Sequence, residues 1–222
     1  MAQVTGGMGL KLAGKVGGLV YVQLNGGTYT RKLPHRKKEM WTPRMLLNLQ
    51  RFRQVNNFCG QFKYSVIPQI WNVAALANFS KVSNFGKVAA KKMSGYAFFL
   101  KSNMAAFGPD GSLGDAKKLR FSTGNLVWPE GFEAHRPDPD ANTIDVNWPK
   151  ELHTGGIHLR DELMVITSVD GQYSDITTTG IERIALTGSF ELPGQLAIAT
   201  HVYLFFGARD RRDYSESVCF EV

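Results

Sequence analysis

From Met45 onward the apolar residues of this chain change period once, and that change limits what it can fold into. From Met45 they recur at Leu49, Phe52, Val55, Cys59, Phe62 and Val66. This spacing of three and four draws one stripe down a helix of about six turns. Thr42-Pro43 supplies its start, because a threonine hydroxyl accepts from free N–H groups and proline fits the first helical position. Ile67-Pro68 breaks or kinks that helix. A second helical piece is expected over Gln69–Phe79. A third is expected over Ser94–Phe107, where Tyr96, Phe99, Leu100, Met104 and Phe107 recur. Between them, Ser80–Met93 reads as a loop or short helix carrying Lys81, Lys87, Lys91 and Lys92.

Gly108-Pro109-Asp110-Gly111 ends the helical pattern, and beyond it the period is that of strands. Strands are expected over Lys118–Leu126, Thr143–Trp148, Glu162–Val169, Ile181–Leu192, His201–Gly207 and Ser215–Val222. Turn signals separate them, among them Pro137-Asp138-Pro139, Asp170-Gly171 and Pro193-Gly194. Helices followed by closely spaced strands predict an α+β chain ending in an immunoglobulin- or fibronectin-like antiparallel β-sandwich. Trp148 would sit in its core, and Phe205 and Phe206 would point to opposite faces.

Ahead of the helices, Gly6–Pro34 is glycine-rich and holds no acidic residue. Leu19–Leu24 and Thr28–Leu33 flank Asn25-Gly26-Gly27, which predicts a β-hairpin. The second glycine allows a bulge. Gly6, Gly7, Gly9, Gly14, Gly17 and Gly18 make the approach to it flexible. A two-stranded hairpin is marginal alone in water, so this one must pack or pair with something. The expected organisation is a basic hairpin arm over 1–40, a helical segment over 41–114 and the sandwich over 115–222.

The net charge of +7 hides an asymmetry. Residues 1–120 carry 19 Lys/Arg against 3 Asp/Glu, a balance of +16, and residues 121–222 carry 7 against 16, a balance of −9. A basic half suits a polyanion, or the acidic half of a neighbouring copy. Tyr21, Tyr29, Arg31, Lys32, Arg36, Lys37, Lys38, Trp41 and Arg44 gather positive charge and aromatic rings around the hairpin and the helix start. They are the expected partner-binding residues. Nucleic-acid backbones are bound by such charge, with aromatics as stacking platforms. No recognised reader motif accompanies them.

Chemistry-bearing motifs fall short. Gly9–Lys15 fits seven positions of a phosphate-binding loop, but Val16 stands where Ser or Thr should hold magnesium, and a β-run follows instead of a helix. Asp138, Asp140 and Asn142 begin like a calcium loop, but Thr143 and Pro149 occupy its glycine and closing-glutamate positions. His153 and His158 lack a third ligand, and His201 opens a strand. Nothing joins a Ser or Cys to a His as a triad. No catalytic, cofactor-binding or metal-binding residue is expected, and an enzyme would need a convergent set of titratable groups. Cys59 and Cys219 match no metal spacing and read as free thiols in a reducing compartment. No secretory pattern or membrane-length apolar run is seen, so the chain is expected to be soluble, cytoplasmic or part of a particle assembled there, and without a membrane partner.

GKVGGLVYVQLNGGTYTRKLP (Gly14–Pro34), the helical segment after it, FSTGNL (Phe121–Leu126) and HVYLFFGARDRRDYSESVCFEV (His201–Val222) together resemble an uncharacterised Bacteroidetes family of unknown function. The match departs around Asn72–Met93 and at Arg209–Asp213. The resemblance implies a helical N-terminal module and a β-sandwich C-terminal module, and carries over no catalytic residue. With the charge layout it leads to the expectation of a non-enzymatic assembly protein, whose partners are other copies of itself or another protein of the same particle. Nucleic-acid binding by the basic half is the alternative.

Overall fold

The computed structural model of the chain describes residues 3–5, 11–24, 27–33, 41–85, 93–138, 142–150, 158–192 and 199–222. Two compact units emerge, Met1–Leu46 and Leu47–Val222.

In the first unit, β1 (Gln3–Thr5), β2 (Lys11–Val16), β3 (Leu19–Leu24) and β4 (Gly27–Lys32) form one antiparallel sheet in that order. The expected hairpin is its β3–β4 half. The glycine-rich approach differs from expectation: Lys11–Val16 is a strand, closed onto β3 by the two-residue turn Gly17-Gly18. Gly17 has φ +57°, the left-handed region where a side chain is disfavoured. Gly27 is no bulge residue. It pairs with Leu24 in unbroken register and leaves two residues between the strands.

Helix α1 spans Pro43–Gln61, and Met45 N donates to Thr42 Oγ1 at 3.3 Å, the expected cap. It ends before the expected six turns, because 3-10-type bonds such as Lys63 N to Gly60 O tighten its end. The stripe also splits. Val55, Cys59 and Phe62 are buried, whereas Met45, Leu49, Phe52 and Val66 are exposed. Ile67-Pro68 opens α2 (Ile67–Phe85), which starts earlier and runs further than expected. Proline is at home there, since the first turn needs no N–H from it. Ser65 Oγ accepts from Ile67 N at 3.2 Å. Helix α3 spans Gly95–Asn103, capped by Ser94, and continues as a 3-10 turn over Met104–Ala106.

The strands that follow are β5 (Glu133–His135), β6 (Thr143–Asn147), β7 (Glu162–Val169), β8 (Gln172–Tyr173), β9 (Thr177–Glu182), β10 (Thr187–Glu191), β11 (His201–Gly207) and β12 (Val218–Glu221). A five-stranded antiparallel sheet runs β12-β11-β7, with β8 and β9 both pairing with β7. A three-stranded antiparallel sheet runs β10-β6-β5. The chain is therefore α+β.

Alternation along β7 and β11 divides the interior into two cores. Met164, Ile166, Tyr203 and Phe205 face the helices, where Val55, Phe58, Phe62, Trp71 and Phe99 join them. Leu163, Val165, Val202, Leu204 and Phe206 face Ile144, Val146 and Phe190 of the smaller sheet, with Trp148 beside them. Phe205 and Phe206 thus point to opposite faces, as read from the sequence.

Two expected strands are corrected, and a third, Ser215–Val222, shortens to Val218–Glu221. Lys118–Leu126 is not a strand. Ala116–Lys118 is a 3-10 turn, and side chains take the place of a ladder partner: Arg120 N donates to Asn103 Oδ1 at 2.8 Å and Phe121 N to Ser217 Oγ at 2.9 Å. Ile181–Leu192 is two strands, interrupted by a 3-10 turn at Arg183–Ala185 and by Leu186 with φ +61°. There the chain turns to bury Arg183, whose main-chain oxygen accepts from Trp148 Nε1 at 3.1 Å. Among the described residues no helix is long and apolar enough to cross a membrane.

Candidate functional site

In an antiparallel sheet, residues directly opposite share a face, and neighbours along a strand alternate. The register pairs Val16 and Lys32 with Leu19, Gly14 and Thr30 with Tyr21, Lys15 and Arg31 with Val20, and Tyr29 with Val22. One face of the β1–β4 sheet therefore carries Val16, Leu19, Tyr21, Thr30 and Lys32. The other carries Lys15, Val20, Val22, Tyr29 and Arg31. Lys15 and Arg31 flank Val20 from opposite sides, with backbones about 10 Å apart.

No side chain described in this sheet is buried. Val16 and Leu19, a cross-strand apolar pair, are 51% and 41% exposed, and Tyr29 is 46% exposed. Lys15, Arg31 and Lys32 are exposed, and Tyr21 is half-buried. The outer edge of β4 pairs with no strand among the described residues.

The expected partner-binding residues thus divide between surfaces. Tyr29 and Arg31 share one face of the sheet, and Tyr21 and Lys32 share the other. Trp41 is half-buried just before α1, and Arg44 is exposed in that helix's first turn, which has no acidic residue. A cation there works against the helix dipole, so Arg44 is not placed for helix stability. Arg36, Lys37 and Lys38 lie outside the described residues. Lys15, Val16 and Leu19 were missed. Reading Gly17-Gly18 as a two-residue hairpin turn would have revealed them.

The remaining polar groups of interest are engaged in structure. Asp161 is buried, and burial raises its carboxyl above the usual carboxylate range, against the opposing pull of His158 and Arg183. His158 Nδ1 lies 3.3 Å from it. Arg183, also buried, donates to Val127 O at 2.7 Å and sits over the Phe206 ring. His201 Nδ1 is 3.0 Å from Thr200 Oγ1. His153 and Asp140 lie outside the described residues, and Asn142 Nδ2 donates to Leu192 O at 3.1 Å. Burial pushes the Cys59 thiol up to about 12 and raises that of half-buried Cys219 too, so neither favours a thiolate. Arg160, Glu162, Gly180, Glu182 and Arg209 line an open cleft of about 210 Å³. Its Glu162 is paired with Arg211 at 2.5 Å. Among the described residues no three His, Cys, Asp or Glu are grouped to hold a metal.

No family model matches the chain, and no curated protein matches it.

Proposed function

We propose that this chain is a non-enzymatic assembly subunit that docks through its N-terminal sheet onto further copies of itself in a larger, virion-like particle. One observation carries the reading: a four-stranded sheet with no buried side chain described and an exposed Val16–Leu19 pair. Sheets of this kind need a hydrophobic face covered to be stable, and open edges invite another strand. The first unit holds 8 Lys/Arg and 1 Asp/Glu, so two such sheets repel each other. The acidic residues 121–222 of another copy attract it instead. Head-to-tail contacts of this sort close into rings or extend into filaments. The finer fold belongs to the same proposal: the β-rich part is an immunoglobulin- or fibronectin-like sandwich, a reading supported by its two antiparallel sheets and by Trp148 in the core between them.

Size-exclusion chromatography with light scattering across a concentration series tests the assembly. The native chain is expected to self-associate. Val16→Thr/Leu19→Thr, which keeps strand preference but removes apolar surface, is expected to weaken association. A native chain that stays strictly monomeric at high concentration refutes the reading.

A second reading, nucleic-acid binding, draws on Lys15, Tyr29 and Arg31 sharing one exposed face. It predicts affinity for single-stranded nucleic acid that falls steeply with salt. Unchanged affinity in Lys15→Ala/Arg31→Ala sinks it.

A further inference from the structure

We propose that the acceptor on the neighbouring copy is the outer edge of β5, to which β4 adds as an antiparallel strand with Arg31 opposite Glu133, Thr30 opposite Ala134 and Tyr29 opposite His135. This inference rests on the assembly reading above and names its receiving surface.

The sheet edges of the second unit are not equivalent. Beside β12, the acidic residues are already neutralised: Glu221 pairs with Lys117 at 3.0 Å, and Glu216 pairs with Arg120. β10 lies alongside β9. The outer edge of β5 pairs with no strand among the described residues. Glu133 is exposed on β5 and Glu130 in the turn before it, and neither forms an ion pair among the described residues. An open edge carrying the unpaired carboxylate of Glu133 suits a strand bearing Arg31.

Side-chain alternation selects the register. On β5, Glu133 and His135 are exposed, whereas Ala134 packs against the core between the sheets. On β4, Tyr29 and Arg31 share the face of Lys15, and Thr30 and Lys32 lie on the face of Val16 and Leu19. The proposed pairing sets Arg31 against a carboxylate on the solvent side. It also turns the face bearing Val16 and Leu19, with Lys32 at its end, toward the side where Ala134, Trp128 and Phe132 pack against the core. A slip by one residue would place Val16 and Leu19 on the solvent side and Arg31 on the inner side.

A charge-swap experiment on the full chain tests both the surface and the fact that it lies on another copy. Arg31→Glu and Glu133→Lys are each expected to weaken self-association about tenfold, since like charges then face each other. Mixing the two variants is expected to restore association to the native level, because each arm then meets an edge of opposite charge. Circular dichroism confirms folding, and Arg31→Gln with Glu133→Gln serves as a milder pair if a reversal perturbs it. Variants that associate like the native chain place the acceptor elsewhere and overturn this proposal, while the assembly reading stands. Restoration in the double variant Arg31→Glu/Glu133→Lys but not in the mixture would show the arm docking on its own chain, and overturns it as well. A native chain that never associates overturns both.

Discussion

The indole Nε1 of Trp71 donates to the main-chain oxygen of Phe121 at 2.9 Å, a buried bond across 50 residues of sequence. It ties α2 to the segment leading into the β-rich part, inside the core shared by the helices and the large sheet. Trp71→Phe removes the donor and part of the ring volume while leaving the acceptor buried. A loss of about 2–3 kcal/mol is expected in urea unfolding. A loss under about 0.5 kcal/mol would mean the bond does little.

Ser217 holds the same segment from the other side, its Oγ accepting from Phe121 N at 2.9 Å. Ser217→Ala strands that buried N–H, for an expected loss of about 1–3 kcal/mol. Because both substitutions act on Phe121, their effects should not add. A double-mutant cycle with Trp71→Phe should show coupling of at least about 0.5 kcal/mol.

A Cβ added at Gly124 would run into the carbonyl oxygen of Tyr214 and lie 2.6 Å from Asp213 Oδ1. The neighbouring bonds Asn125 N to Asp213 Oδ1 at 2.9 Å and Leu126 N to Tyr214 O at 3.1 Å require that approach. Gly124→Ala is expected to cost about 2–3 kcal/mol and to lower Tm, as scanning calorimetry would show. An unchanged Tm would contradict the close contact.

The buried Cys59 thiol gives a pH test. Its folded value, about 12, lies above its ordinary 9.0. Below the ordinary value both states keep the proton, and the contribution to stability is present in full. As pH rises toward the folded value, only the unfolded chain releases the proton, and that contribution is lost at about 1.4 kcal/mol per pH unit. Cys59→Ala should therefore show a shallower fall in unfolding free energy at alkaline pH. Identical slopes in both proteins would place the thiol in solvent.

How legible the fold was depended on what satisfied each segment's backbone. Glu162–Val169 and His201–Gly207 are strands with the bounds expected from sequence, because a strand buried on both faces is a continuous apolar run between turns. Leu119 and Phe121 alternate like strand residues, but they alternate to reach the helical core, and Asn103 and Ser217 replace the ladder. A hydroxyl 96 residues away leaves no local signal. The stripe on α1 misled for a related reason. Periodicity finds an apolar face, not what covers it, and Met45, Leu49 and Phe52 are exposed. At the candidate site, the hairpin strands were legible from Asn25-Gly26, but the division of Tyr21 and Lys32 from Tyr29 and Arg31 was not. It follows from parity along β3 and β4, which no count of basic residues contains.

The large sheet stands between its two cores like a wall between two rooms. The Phe205 ring meets Tyr214 on one side, and the Phe206 ring meets Trp128, Phe132 and Trp148 on the other. Residues joined by a peptide bond therefore share no ring partners, whereas Phe58 and Tyr173, far apart in sequence, touch edge to face. Sequence variation can repack one room while the other keeps its furniture, so the helical side and the sheet side are free to diverge at different rates.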